Sequence, residues 1–170
     1  TGLECQIGDE VMMSSPLTIS FTAGEGGARR ILSCEPVAGP ALPPAPRLAI
    51  NVGAGAPDGV WTLTGATSHT RYATRAESDA LAARQQSLGR PEATRAALIP
   101  IRKSAVWWAL AQDERRAIFE ERSRHTAIGM DYLPQVARRL HHCRDLGGPF
   151  DFLTWFEYAP ADASAFEVMV

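Results

Sequence analysis

Cysteine is scarce in this chain of 170 residues, and Cys5, Cys34 and Cys143 do not have the spacing of a disulfide framework or a zinc site. We therefore expect free thiols, as in a reducing compartment, and a cytoplasmic protein, or a periplasmic one if a leader was removed before Thr1. No run approaches the ~18 apolar residues of a membrane span, and the first residues lack the pattern of a signal peptide. These absences argue against a membrane protein.

The chain also lacks an excess of charge of either sign, because 17 basic and 19 acidic residues leave a net charge of −2. No basic block of the kind that binds nucleic acid stands out. The glycine-rich fingerprints of dinucleotide and phosphate binding are missing, as are the HExxH and GxSxG motifs of metalloproteases and hydrolases. The composition, with 45% hydrophobic and 21% charged residues, is that of a globular domain.

The order of secondary structure predicts an α+β fold with mainly antiparallel sheets. Residues 1–15 are expected to be a disordered leader. Alternating apolar residues predict a hairpin of two strands at 17–22 and 30–34, a short strand at 48–50, and further strands at 60–65, 136–143 and 150–158. Helices are predicted at 75–88, 92–99, 104–110, 112–132 and 162–170.

His125 is the first candidate for a ligand-binding residue. In one continuous helix over residues 112–132, Ile118, His125 and Ile128 share an apolar stripe. Gly129 follows one turn after His125 and leaves space beside the imidazole, where a flat ligand could lie. The alternative is a core histidine that is hydrogen-bonded to a backbone carbonyl.

Arg138 is the second candidate, since it lies between Val136 and Leu140 on the predicted inward side of a strand. A buried charge is costly unless it has a partner or a functional pocket. The alternatives are an edge strand with Arg138 turned outward, or an ion pair with Asp145 or Glu157.

Other notable residues of this half are predicted to be structural. The adjacent His141 and His142 point to opposite faces of a strand, and Trp107 and Trp108 are typical of core packing. Lys103 is predicted to lie on a solvated rim. The long helix is expected to expose a charged, solvated face with pairs at i,i+4, formed by Arg115, Arg116, Glu120, Glu121, Arg122 and Arg124.

Several segments together resemble the haem-binding core of the chlorite dismutase family. They comprise residues 89–104 with the Trp107-Trp108 pair, 113–116 followed by Ser123 and His125, 132–134, Ala137-Arg138, 142–145 and 150–157. The resemblance spans roughly residues 17–170, is densest in the second half, and is greatest to the compact, dimeric lineage of the family.

The resemblance implies a dimeric α+β barrel of two ferredoxin-like repeats, a trimmed first repeat at 16–88 and a haem-binding repeat at 89–170 that lacks its final strand. It implies that His125 is the proximal iron ligand and that Arg138, thirteen residues later, is the distal arginine. Lys103 would belong to the proximal hydrogen-bond network. Trp108 and Tyr72 would lie near the haem.

The family's proximal glutamate, which orients the iron-binding histidine, is expected after position 170, so it has no counterpart in these residues. By resemblance the chain is a haem b enzyme that decomposes chlorite, a small anion, to chloride and dioxygen. Arg138 would hold transient hypochlorite until the O–O bond forms. The alternatives are a coproheme decarboxylase, against which Arg138 argues, a haem peroxidase of the same superfamily, and a non-catalytic haem-binding or scaffold barrel.

Overall fold

The computed structural model describes residues 16–56, 58–67 and 72–170, so the predicted leader at 1–15 lies outside the described residues. Seven strands occur in the described part: β1 (Thr18–Gly24), β2 (Arg29–Arg30), β3 (Arg47–Val52), β4 (Trp61–Thr67), β5 (Arg95–Ile101), β6 (Ala137–His142) and β7 (Phe152–Tyr158). The α-helices described are α1 (Arg75–Arg84), α2 (Ala105–Ala109), α3 (Gln112–Ala117), α4 (His125–Asp131) and α5 (Ala163–Met169). No described helix has the length and apolar character that crossing a membrane requires.

The strands form one sheet in the order β2-β3-β1-β4-β6-β7-β5, and every neighbouring pair is antiparallel. The prediction of an α+β fold with antiparallel sheets is therefore confirmed. The first and second halves of the sheet meet where β4 pairs with β6, Ala66 opposite His142 and Thr67 opposite His141. The division into repeats at 16–88 and 89–170 stays a prediction.

The inner face of the sheet carries the main apolar core. Because side chains alternate along a strand, one face of β1 directs Ile19, Phe21 and Ala23 inward. These residues pack in one cluster with Leu153 and Trp155 of β7. A second cluster lies on the outer face of the same sheet, where α5 covers β7; it consists of Val136, Phe156, Tyr158 and Phe166.

A buried carboxylate connects distant parts of the sheet. Glu157 on β7 accepts a hydrogen bond from Arg29 on β2 at 3.3 Å, although four strands separate β2 from β7 in the sheet order. It also accepts hydrogen bonds from the Trp155 indole at 3.0 Å and from the Gly89 amide at 2.6 Å. The sheet therefore curls so that its ends approach each other, as a barrel requires.

Two sequence predictions are wrong in the strand assignments. The hairpin of residues 17–22 with 30–34 does not form, because β1 pairs with β3 and β4, while β2 pairs with β3. The helix predicted at 92–99 is instead strand β5, which pairs with β7 over seven positions. Pairing with a buried strand overrides the helical preference of its alanines, a common outcome where tertiary contacts decide.

The single helix predicted at 112–132 is also wrong. Helix α3 ends at Ala117, a π-helical turn covers Ile118–Arg122, and α4 begins at His125. Between them Arg124 has a left-handed backbone with φ of 51°. The first turn of α4 is capped from this segment, since the Thr126 amide donates to the Glu120 carboxylate at 2.8 Å.

Candidate functional site

Phe119 lies at the centre of the candidate site. Its ring stacks on Tyr72 at 5.7 Å between centroids and contacts the rings of His125 at 5.5 Å and Trp107 at 6.1 Å. The Lys103 ammonium lies 5.2 Å from the centre of the same ring. Three of the residues that the sequence assigned to the site, Tyr72, Lys103 and His125, therefore converge on Phe119.

Sequence reasoning missed Phe119. In a continuous α-helix a residue six positions before His125 faces away from it, because only spacings of three, four or seven share a face. The π-helical turn and the left-handed Arg124 change that phase and turn Phe119 toward the imidazole. The only signal in the sequence was that an aromatic residue lies six positions before the histidine, and helical periodicity argued against a contact between the two rings.

His125 begins α4, and its imidazole carries no hydrogen bond from the residues that the structure describes. His125 is exposed at the surface, and partial desolvation of its imidazole is the main cause that lowers its pKa below the ordinary value. The charge of Arg138 lowers the pKa further; Glu120 opposes this and Lys103 adds to it. The ring is therefore held neutral near pH 7, with a nitrogen lone pair available for a metal.

Arg138 extends from β6 to α4, the helix that begins with His125, so the two candidates lie near each other. Its Nη1 atom lies 2.8 Å from the position that a Cβ on Gly129 would take. The space at Gly129 therefore accommodates the guanidinium, which corrects the expectation of an unfilled patch beside the imidazole. Burial lowers the pKa of Arg138 from its ordinary value.

Within the described ranges the Arg138 guanidinium has neither a carboxylate partner nor a hydrogen-bond acceptor. The alternatives that paired it with Asp145 or Glu157 are wrong, since Glu157 pairs with Arg29. A mostly buried guanidinium without a counter-charge is costly, so its environment favours an anionic ligand.

Tyr72 is held in an unusual backbone conformation with φ of 62°, which residues other than glycine rarely adopt. Its hydroxyl accepts a hydrogen bond from Arg115 Nη1 at 3.2 Å, and its carbonyl accepts one from Arg116 Nη1 at 2.5 Å. Arg115 also donates to the carbonyls of Trp107 and Trp108 at the end of α2. The prediction that Arg115 and Arg116 lie on a solvated face is therefore wrong.

Arg116 makes a second connection, to the first turn of α1. Both of its terminal nitrogens donate to Glu77, each at 2.9 Å, and these bonds are the main cause that lowers the pKa of Glu77 to about 2. Glu77 also completes a capping box with Thr74. The start of α1 is thereby fixed to α3 beside the site.

Lys103, the only lysine of the chain, lies between β5 and α2. Its backbone amide donates to Asp151 at 2.6 Å, and its ammonium lies over the rings of Phe119 and Trp107, the latter at 5.5 Å. Lys103 is therefore part of the aromatic cluster and not of a solvated rim, so that prediction is wrong.

Trp108 lies at the outer end of the cluster. The Arg144 guanidinium is 3.8 Å from the centre of its ring, and Phe152 stacks on it at 5.9 Å. The indole N–H groups of Trp107 and Trp108 are buried without a hydrogen-bond partner among the described residues. Buried donors are normally satisfied, so these two indicate a polar group that binds here.

The structure has cavities among the described residues that lie away from His125 and Arg138. One of about 400 Å³ is bordered by Lys103, Trp108, Arg144 and Asp151, at the outer end of the aromatic cluster. Another, of about 180 Å³, lies near Cys143. Neither includes His125 or Arg138, and among the described residues no group of three or more His, Cys, Asp or Glu side chains could hold a metal ion.

Comparison with known proteins gives a consistent result. The family model described as chlorite dismutase matches residues 49–163. Chlorite dismutase of Ideonella dechloratans is 37% identical over 60 residues, which cover 35% of this chain and 20% of that protein. The chain thus spans only about a fifth of this curated relative.

Solved structures extend the match. The chain is 58% identical to a dimeric chlorite dismutase from Nitrobacter winogradskyi, with a TM-score of 0.83, covering 89% of this chain and 86% of that one. A chlorite dismutase from Candidatus Nitrospira defluvii, solved with imidazole, is 30% identical with a TM-score of 0.52, covering 72% of this chain and 45% of that one. Together with the family model, these matches place the chain in the chlorite dismutase family.

Proposed function

We propose that the chain is a haem b enzyme that decomposes chlorite to chloride and dioxygen. The observation that carries the proposal is the buried guanidinium of Arg138, which lacks a counter-charge in the described residues and extends toward the helix that bears a neutral imidazole. The first group suits a small anion and the second suits a metal. Their proximity, with Arg138 packed against the helix that begins at His125, favours an anion that reacts at a metal centre.

The side chains present fit haem. Two buried indole donors, on Trp107 and Trp108, suit the carboxylates of its propionates. The outer face of β6 offers Leu140, which is 40% exposed beside Arg138, as an apolar surface for a flat ring. His125 would hold the iron as a neutral imidazole. The bound haem would supply redox chemistry that takes an oxygen atom from chlorite and returns it for O–O bond formation.

The chain's own residues do the remaining work. Arg138 is permanently charged and planar, so it attracts chlorite and orients it by paired hydrogen bonds. The same group retains the hypochlorite that results from loss of one oxygen, so that chloride and dioxygen are the final products. The aromatic wall of Phe119, Trp107 and Trp108 limits the access of water, which reduces escape of the oxidant.

Haem-loaded variants test these roles. Arg138→Ala is expected to lower the dioxygen yield and to release hypochlorite, seen as bleaching of a chlorination-sensitive dye. Arg139→Ala is the matched control, because Arg139 is exposed and points to the other face of the same strand. Full oxygen yield without bleaching in Arg138→Ala would contradict the proposed role.

His125→Ala tests the ligand. It should abolish the Soret band of the imidazole-bound haem, and added imidazole should partly restore it. Unchanged spectra in His125→Ala would show that another residue binds the iron. Conversion of coproheme to haem b with peroxide would instead support the decarboxylase alternative, and oxidation of organic dyes without oxygen release would support the peroxidase. No haem uptake at all would support the scaffold.

A homodimer is part of the same proposal. It is supported by the dimeric Nitrobacter winogradskyi relative, whose fold the chain shares over most of its length. Light scattering should give twice the chain mass of 18.4 kDa, about 37 kDa. A monomer at micromolar concentration would contradict this part of the proposal.

A further inference from the structure

Tyr72 has an unfavourable backbone conformation that its surroundings must maintain. A tyrosine with φ of 62° is strained by contacts between its Cβ and the backbone, and such residues persist only where neighbouring contacts determine them. Strained residues of this kind cluster at functional sites. The contacts that maintain this conformation therefore point to the role of Tyr72 in the site.

Adjacent residues of α3 hold Tyr72 from its two ends. Arg115 donates to the hydroxyl at 3.2 Å, and Arg116 donates to the backbone carbonyl at 2.5 Å. Arg115 is itself fixed, because it lies 5.0 and 4.9 Å from the ring centres of Trp107 and Trp108. Its guanidinium is planar and forked, and this shape lets one side chain satisfy several acceptors at once.

The restrained tyrosine reaches His125 through one intervening ring. Tyr72 is nearly parallel to Phe119, at an interplanar angle of 20° and a distance of 5.7 Å. Phe119 also contacts the imidazole of His125, with the ring centres 5.5 Å apart and the ring planes at 55°. No described residue hydrogen-bonds to that imidazole, so within the described part of the chain the Phe119 ring is the contact that restricts its rotation.

We propose that Arg115 and Arg116 are positioning residues: they lock Tyr72 against Phe119, and this stacked pair fixes the orientation of the His125 imidazole. The inference concerns the ring geometry of the chain itself. It rests on the proposed function only where it extends to haem retention.

A purely structural role for Arg115, capping the end of α2, is the competing explanation. The variants therefore separate ring stacking from helix capping. Tyr72→Leu removes the stacked ring and leaves Arg115 on the α2 carbonyls. Tyr72→Phe keeps the ring and removes only the hydroxyl. Arg115→Gln and Arg115→Lys change the holding residue, and Arg122→Gln, an exposed arginine of the π-helical turn, is the matched control.

The decisive measurement is made on the full chain without haem. In aromatic NMR spectra the His125 ring protons should show a ring-current shift and an Overhauser contact from Phe119. Tyr72→Leu should lose most of the shift. Tyr72→Phe and Arg115→Gln both remove the bond from Arg115 to the hydroxyl while Arg116 still holds the carbonyl, so each should lose a similar part of it, and Arg115→Lys should recover some of that loss. Arg122→Gln should leave the shift unchanged.

The proposal is overturned if Tyr72→Leu leaves the His125 signals unchanged, or if Arg122→Gln alters them as much as Arg115→Gln does. If Arg115→Gln does not fold, Tyr72→Leu and Arg115→Lys still test the proposal, because they leave some or all of the hydrogen bonds from residue 115 to the α2 carbonyls in place. Thermal unfolding of each variant shows whether a lost shift only reflects a lost fold.

A second experiment tests whether the same residues affect haem retention. Loss of a group that orients a metal-bound histidine typically costs about 10-fold or more in affinity, so Arg115→Gln should release haem about tenfold faster, and Arg115→Lys less so. Transfer of haem to apomyoglobin measures this rate. If the wild-type chain binds no haem, the proposed function fails while the NMR result still stands; an altered imidazole with an unchanged release rate overturns the extension to haem.

Discussion

The two halves of the sheet have different coverings on the same outer face. In the β1–β4 half this face is a row of hydroxyls, where Ser20 bonds to Thr64 at 3.1 Å and Thr22 to Thr62 at 3.0 Å. A glycine-rich segment lies directly on it. A Cβ on Gly59 would come within 2.2 Å of the Thr22 side chain, so only glycine allows this approach.

In the β6–β7–β5 half, helices cover the outer face instead of a loop. Long basic side chains hold these helices: Arg115 donates to α2, Arg116 donates to the Tyr72 carbonyl, and the Lys103 ammonium lies over Phe119. The rings of Trp107 and Phe119 contact each other between them. In the β1–β4 half, therefore, a glycine-rich backbone segment packs directly on the outer face. In the other, large aromatic and cationic groups keep the helix and sheet apart, and the candidate site lies there.

The largest effect is expected from Glu157, which connects the halves. Glu157→Ala removes the acceptor for the half-exposed Arg29 guanidinium, the Trp155 indole and the Gly89 amide, and leaves the two N–H donors without their partner. Each buried donor left unpaired typically costs about 1–3 kcal/mol of unfolding free energy. Chemical denaturation should show both halves weakened together. Glu157→Gln, which keeps an acceptor oxygen, should cost clearly less; equal losses in both would argue against this bridge.

Gly59→Ala tests the loop-covered half. The added methyl group must displace Thr22, and overpacking of this kind costs about 1–3 kcal/mol. We expect a lower melting temperature, with the near-ultraviolet signal of the aromatic cluster unchanged before unfolding. Gly148→Ala is the control, because its Cβ would meet nothing within 4 Å. A changed aromatic signal in Gly59→Ala would show that the two halves are not independent.

His141 tests the seam between the halves by its pH dependence. It is 2% exposed, its Nδ1 lies 3.2 Å from the Leu153 carbonyl, and burial lowers its pKa from 6.5. The unfolded chain therefore binds a proton first, and stability falls as pH drops below 6.5, by at most about 1.4 kcal/mol per pH unit. His141→Gln should show a shallower loss in urea titrations at pH 5–6; identical slopes would contradict this cause.

The smallest effect is expected at Glu77 in the helix-covered half. Because its pKa is lowered from 4.5 to about 2, the bond to Arg116 stabilises the fold above pH 4.5 and is lost as pH falls through 2. The near-ultraviolet signal of Tyr72 and its neighbours should therefore change mainly below pH 4. Glu77→Gln should remove that transition and lower the melting temperature slightly at pH 7, and a transition that persists in Glu77→Gln would assign it elsewhere.

Much of the second half was predictable from sequence. Strict alternation located β6, and aromatic and β-branched residues located β7, because these patterns reflect which face each side chain takes. The same alternation singled out Arg138, but the prediction that it faces inward is wrong, because it lies opposite Phe156 on the outer face of the sheet. Residues of α3 could not be interpreted this way, since a helical charge pattern does not reveal that Arg115 and Arg116 reach Tyr72, 43 and 44 residues away.

The sequence by itself determined the α+β class with antiparallel pairing, the strands β6 and β7, and the family, because local periodicity and motif residues carry that information. Only the tertiary structure decided that Arg95–Ile101 forms a strand where a helix was predicted, that the long helix breaks before His125, and that Phe119 lies between Tyr72 and the imidazole. The physical reason is that each depends on contacts between segments far apart in the chain, or on a π-helical turn that shifts the helical phase.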